Sequence, residues 1–305
     1  MSISSSLLFA LIYADIFQYP YTYDELVGWM PNNIWHKNDI KKIIRQLLKI
    51  KKIFYSEPFF TVYGHKKNIT TRVRRERYAL DKWMKAEHAA NMLRFIPTIM
   101  FVGVTGSLAI RNADRQDDID LFICTKNKSL WITRFLAITL LELYGIRRRP
   151  EEHQVKDAIC LNMFVTEDAL SIPPKERDIY VAHEVLQMQV VWERKGTYGS
   201  FLHKNRWVRN FFKHTWMIVV QKHKKMQPRI TYHEANKFVI HFITLFEKSA
   251  KRIQLWYMKK RRTTEVVSDV VVRFHPHDAR EWIYISLQKK LKHYHLPLDK
   301  NFFHP

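Results

Sequence analysis

The chain is almost without cysteine. Only 2 of its 305 residues are Cys, Cys124 and Cys160, both in runs that read as core strands. So few thiols exclude a disulfide framework or a cysteine-rich metal site, and both are expected to act as small buried apolar groups in a reducing compartment. Long apolar runs are missing as well: nowhere do 18 uninterrupted apolar residues occur, and Asp15 breaks the apolar stretch near the N-terminus. That stretch has no basic leader and no small-residue cleavage pattern, so neither membrane spanning nor export is expected, and the expected location is the cytoplasm. Internal repeats and low-complexity tracts are absent too. Acidic residues are outnumbered, 29 Asp+Glu against 51 Lys+Arg, for a formal net charge of +22. That excess makes polyanions the expected partners, nucleic acid (DNA or RNA) first among them. Core-forming material is plentiful, at 47% hydrophobic and 14% aromatic, which suffices for two or three packed modules.

The most informative stretch is GSLAIRNADRQDDIDLFIC, residues 106–124. It lies between two runs, 98–104 and 119–125, whose β-branched and apolar residues read as buried strands. Gly106 opens a turn with backbone angles closed to other residues, and Ser107 with the free N–H groups of a helix start forms a donor site suited to phosphate. Asp118 and Asp120 are two apart in a strand, so both project from one face while Ile119 and Leu121 enter the core. Paired carboxylates beside a phosphate cradle match the needs of Mg²⁺.

The pattern apolar-Gly-Ser, spacer, Asp-apolar-Asp-apolar resembles the signature of the DNA polymerase beta-like nucleotidyltransferase superfamily, in particular its small prokaryotic members. The resemblance covers roughly residues 96–165. It implies an α+β fold with a mixed β-sheet core, and transfer of a nucleoside monophosphate from a nucleoside triphosphate to an acceptor hydroxyl with release of pyrophosphate. It further implies Mg²⁺ or Mn²⁺ as cofactor, with Asp118 and Asp120 as ligands and Gly106 and Ser107 holding phosphates. Arg111 and Lys126 are further phosphate-contact candidates. The superfamily draws a third carboxylate from a later strand, and there this chain departs from it. The strand at 158–165 offers Asn162, which can lend a carbonyl oxygen to a metal but cannot take a proton at neutral pH. Asp157 is the nearby acid that a different register would bring in. An alternative follows from Asn162: a nucleic-acid-binding regulator whose core binds nucleotide without turning it over.

The flanking segments read as separate modules. Residues 1–66 resemble a winged helix-turn-helix. A first helix spans 5–17, a short one opens on the capping box Thr22-x-x-Glu25 and stops at Pro31-Asn32-Asn33, and a third spans 39–50. The third helix turns Ile40, Ile43, Ile44, Leu47 and Leu48 to one side and Lys41, Lys42, Arg45 and Lys49 outward, a face expected to bind nucleic acid, the equal alternative being a protein-docking module whose lysines are only solvated. Residues 53–63, broken at Glu57-Pro58, read as the wing. A charged linking helix spans 67–95, the nucleotidyltransferase core 96–170, and an all-helical C-terminal region 171–305, with helices at 175–192, 200–212 and 234–258. The run Lys259-Lys-Arg-Arg262 reads as a basic loop. His275 with His277, and His293 with His295, lack the spacing and companion acid of a metal site.

Overall fold

A computed structural model describes residues 1–31, 35–149, 154–259, 266–273 and 279–297. Asn32, Asn33, Lys260, Arg261, Arg262, His275 and His277 lie outside the described residues.

The first elements are helices α1 (Ile3–Ile16), α2 (Tyr23–Gly28) and α3 (Lys37–Lys49), followed by the hairpin β1 (Ile53–Ser56) and β2 (Phe59–Val62). The capping box at Thr22 is formed in full: the Thr22 hydroxyl accepts from the Glu25 N–H, and the Glu25 carboxylate accepts from the Thr22 N–H. Ile40, Ile44 and Leu47 of α3 face inward, while Lys41, Lys42, Arg45 and Lys49 are exposed. Helix α1 is buried on all sides from Ser6 to Asp15, as its neighbours require: α2, α3 and β2 surround part of it and the last helix the rest.

Helix α4 (Lys67–Leu93) leads into β3 (Ile99–Val104), the single-turn α5 (Gly106–Ala109), β4 (Ile119–Thr125), α6 (Leu130–Leu143) and β5 (Ile159–Thr166). Then come α7 (Ile179–Gln187), β6 (Gln189–Arg194), α8 (Thr197–Lys204), α9 (Lys213–Ile230), β7 (Thr231–Tyr232), α10 (Lys237–Thr244) and α11 (Glu247–Met258). Strands β8 (Val266–Val267) and β9 (Val271–Arg273) and helix α12 (Ala279–His293) follow.

Residues 171–305 are therefore not all helical, as the sequence led us to expect. They supply four strands to a mixed sheet of order β7-β6-β3-β4-β5-β9-β8, in which β4 and β5 are parallel and β3 is antiparallel to both β4 and β6. The expected helix at 175–192 ends at Gln187. Beyond it, Val190 and Trp192 pair with β3, because the edge of β3 needs a partner more than the helix needs another turn. The expected helix at 234–258 breaks near Leu245 into α10 and α11, and α9 and α12 occupy segments with no clear sequence signal.

Helices cover both faces of the sheet. Ala79, Ala86, Ala89, Ala90 and Leu93 make α4 a tight lid on one face, together with α6 and α11. The other face shares one apolar cluster with α1, α3, α7, α8, α12 and the hairpin, so the N-terminal segment and the sheet that carries the aspartates belong to one continuous core. Among the described residues no helix is long and apolar enough to cross a membrane.

Candidate metal and nucleotide site

Strand β3 leaves the sheet at Thr105, whose N–H still donates to the Asp120 carbonyl at 3.0 Å, and turns at Gly106. Gly106 adopts φ +65°, and a Cβ there would stand 2.7 Å from Asp120 Oδ2. Only glycine lets the chain pass this close to the carboxylate. The turn is pinned from several sides. Ser107 Oγ donates to Asp117 Oδ2 at 3.1 Å and the Asp114 N–H donates to the same oxygen at 2.8 Å. Asn112, at the end of the turn, donates to the Phe17 carbonyl at 2.9 Å, which fastens the turn to the end of α1.

Asp118 precedes β4 and Asp120 lies within it. Asp118, Asp120 and Cys160 bring two carboxylate oxygens and a sulfur within 4.8 Å of one another. The sequence-identified pair thus comes together at the start of β4, with Asp118 just ahead of the strand rather than in it, and the glycine turn lies against Asp120. Burial, then the neighbouring Asp118, pushes the Asp120 carboxyl up to about 7. The Arg148 guanidinium donates to Asp118 Oδ2, and its Nη1 also lies 3.9 Å from Cys160 Sγ.

The third expected ligand is placed differently from the sequence reading. Across the parallel β4–β5 pair, the residue opposite Asp120 is Cys160, not Asn162. The register shifts just beyond, where Leu121 pairs with Leu161 but Phe122 with Met163, and Asn162 is the extra, buried residue of that bulge. Cys160 is only half-buried and borders the acids, which corrects its reading as a core thiol; Cys124 is fully buried as expected. Asp157 is not drawn into the cluster: it pairs with Lys82 at 2.7 Å and Lys85 at 2.6 Å of α4.

Glu184 of α7 is a further acid, close enough to feel the Asp120 charge, that sequence reading missed. Burial and the Asp120 charge push its carboxyl up to about 7. Its only sequence signal is that it is the one acid in the largely apolar run of residues 179–188. Arg111 lies exposed in the turn after α5 and faces Lys222 of α9, whose ammonium is lowered by burial and by Arg111. Lys222 donates to Gln189 Oε1 at 2.7 Å, and Gln189 pairs with Val104, so both cations flank the end of β3 where the turn begins.

Lys126 is not brought to this place. Its N–H donates to the Thr98 carbonyl at the opposite end of β3, and its ammonium is paired with Glu234. A strand of about seven residues at about 3.3 Å each separates it from Asp118. His293 and His295 close the end of α12, and among the described residues they enter no metal-ligand cluster.

Comparison of the chain with family models, with curated proteins and with solved structures gives no match.

Proposed function

We propose that this protein is a metal-dependent nucleotidyltransferase that moves a nucleoside monophosphate from a nucleoside triphosphate to an acceptor hydroxyl. The observation that carries the reading is the convergence of Asp118 and Asp120 on the Gly106 turn. Donor chemistry fits a divalent ion. Burial, with the Asp118 charge, raises the proton affinity of Asp120, and burial with the Asp120 charge raises that of Glu184; a divalent cation at the carboxylates would relieve that unfavourable negative charge. Asp118 and Asp120 would hold Mg²⁺ or Mn²⁺, which when bound neutralises charge developing on the phosphates.

The remaining roles belong to the chain's own groups. The N–H groups of the Gly106-Ser107 turn orient phosphate oxygens, and Arg111 and Lys222 balance their charge from either side of the β3 end. Glu184, poised near neutrality, accepts the proton of the attacking hydroxyl, a task Asn162 cannot perform. The exposed Lys41, Lys42, Arg45 and Lys49 of α3 bind the phosphate backbone of a nucleic acid. Incubation with labelled nucleoside triphosphates, Mg²⁺ or Mn²⁺ and a mixed RNA and DNA acceptor pool tests this. Pyrophosphate release and label transfer that both vanish in Asp118→Ala support it; no release with any triphosphate contradicts it.

A second reading is favoured by Arg148 resting on Asp118 and by the amide at 162: a core that binds nucleotide and serves a nucleic-acid-binding regulator. Nucleotide-dependent DNA binding without pyrophosphate release supports that reading over the first.

A further inference from the structure

The placement of Cys160 goes beyond the reading above and rests on it. A parallel pair puts residues in register on the same face, so the cross-strand match of Asp120 with Cys160 aims carboxylate and thiol to one side of the sheet. The three donor atoms of Asp118, Asp120 and Cys160 lie within 4.8 Å of one another. A tetrahedral ion with bonds of about 2.3 Å to sulfur and about 2.0–2.2 Å to oxygen sets its ligands about 3.5 Å apart, a distance that small side-chain rotations reach from here. A positive group already stands where these donors meet: Nη1 of Arg148 touches both Asp118 and the Cys160 sulfur. The Arg148 side chain keeps 38% of its surface exposed, so it has room to swing into solvent when an ion takes its place.

We propose that Cys160 is the third protein ligand of the ion held by Asp118 and Asp120, and that its sulfur turns the site from Mg²⁺ towards a borderline ion of the Zn²⁺ or Co²⁺ type. Carboxylates and water suit Mg²⁺, whereas sulfur is a poor ligand for it and a good one for Zn²⁺ and Co²⁺. When the ion binds, the thiol S–H breaks, its proton passes to solvent and a metal–sulfur bond forms. Because Asn162 stands in the β5 bulge, the thiol takes the place at which the resemblance leads one to expect an acid.

Titration of the full-length protein with Co²⁺ alone, under anaerobic conditions with no thiol reductant, tests this by the near-ultraviolet sulfur-to-cobalt charge-transfer band. The band is expected in the native chain and in Cys124→Ala and absent in Cys160→Ser. That variant should bind Co²⁺ and Zn²⁺ more weakly by on the order of tenfold or more, with Mg²⁺ binding unchanged. Cys160→Asp should tighten Mg²⁺ and weaken Zn²⁺. Co²⁺ bound with no such band, or equally well by Cys160→Ser, overturns the proposal and leaves the carboxylate site standing. If neither Co²⁺ nor Mg²⁺ binds the native chain, or if Asp120→Asn binds both as well as it does, the metal-site reading itself falls.

Discussion

Asp120 shows the cost of placing two carboxylates side by side at the start of a buried strand. Its carboxyl, ordinarily near 3.8, rises to about 7 in the folded chain because burial and Asp118 oppose its ionisation. For an acid raised in this way the stability contribution is fully present below pH 4 and is lost as the pH climbs through 7, and each tenfold change in proton affinity between the folded and unfolded chain corresponds to about 1.4 kcal/mol. Asp120→Asn removes that loss. In urea melts with chelator the variant should match the native chain near pH 4 and exceed it in stability at pH 8; an equal or lower midpoint at pH 8 would show that the carboxylate is not under strain. Gly106 bears on the same atom from the other side. Gly106→Ala forces a left-handed backbone on alanine, costing about 1 kcal/mol, and drives its methyl to 2.7 Å from Asp120 Oδ2. We expect this variant to melt only slightly lower yet to lose divalent-ion binding, read by calorimetry; unchanged ion affinity would separate the turn from the proposed metal site.

Among the elements, α4 does most to join the N-terminal segment to the sheet. Its buried Arg72 forks onto the Glu25 carboxylate of α2 at 2.6 and 2.9 Å, also pairs with Glu76, and lies over the rings of Tyr19 and Phe59. Arg72→Leu leaves Glu25 with only neutral donors, the Thr22 N–H and the Tyr19 hydroxyl, and should cost about 3–5 kcal/mol, measured as a fall in urea midpoint; a loss under about 1 kcal/mol would mean the fork is replaceable by packing. These elements were unequally legible in the sequence. Strand β4 at 119–125, the capping box at Thr22 and the apolar face of α3 follow from local patterns, and each forms as read. The strand β6 did not announce itself, because nothing between Gln187 and Gln189 breaks a helix and only the open edge of β3 decides it. For the site, the aspartate pair and Gly106 were legible because period and turn chemistry are local. Cys160 and Glu184 were not, since the first depends on the β4–β5 register and the second on where α7 packs. Lys126 misled because distance along the sequence says little about distance along a sheet.

At the scale of the whole molecule, charge and layering decide what the protein can hold. With +22 net charge and the exposed basic ridge of α3, binding to duplex DNA or RNA should weaken steeply with salt. Each phosphate neutralised adds about 0.9 to the log–log slope for duplex DNA. Changing Lys41, Lys42, Arg45 and Lys49 together to glutamine should flatten the slope by about three to four and leave the melting temperature nearly unchanged; an unaltered slope would move the interface off α3. The apolar cluster on the sheet face of Phe122 and Cys124, the face Asp120 shares by strand alternation, also takes in residues of α1 and α7. The most direct test of the account is equilibrium binding of a non-hydrolysable nucleoside triphosphate analogue with and without Mn²⁺, in the native chain and in Asp118→Asn/Asp120→Asn. The account predicts binding that requires the ion in the native chain and is lost in the double variant; binding that ignores both the ion and the substitution would contradict it.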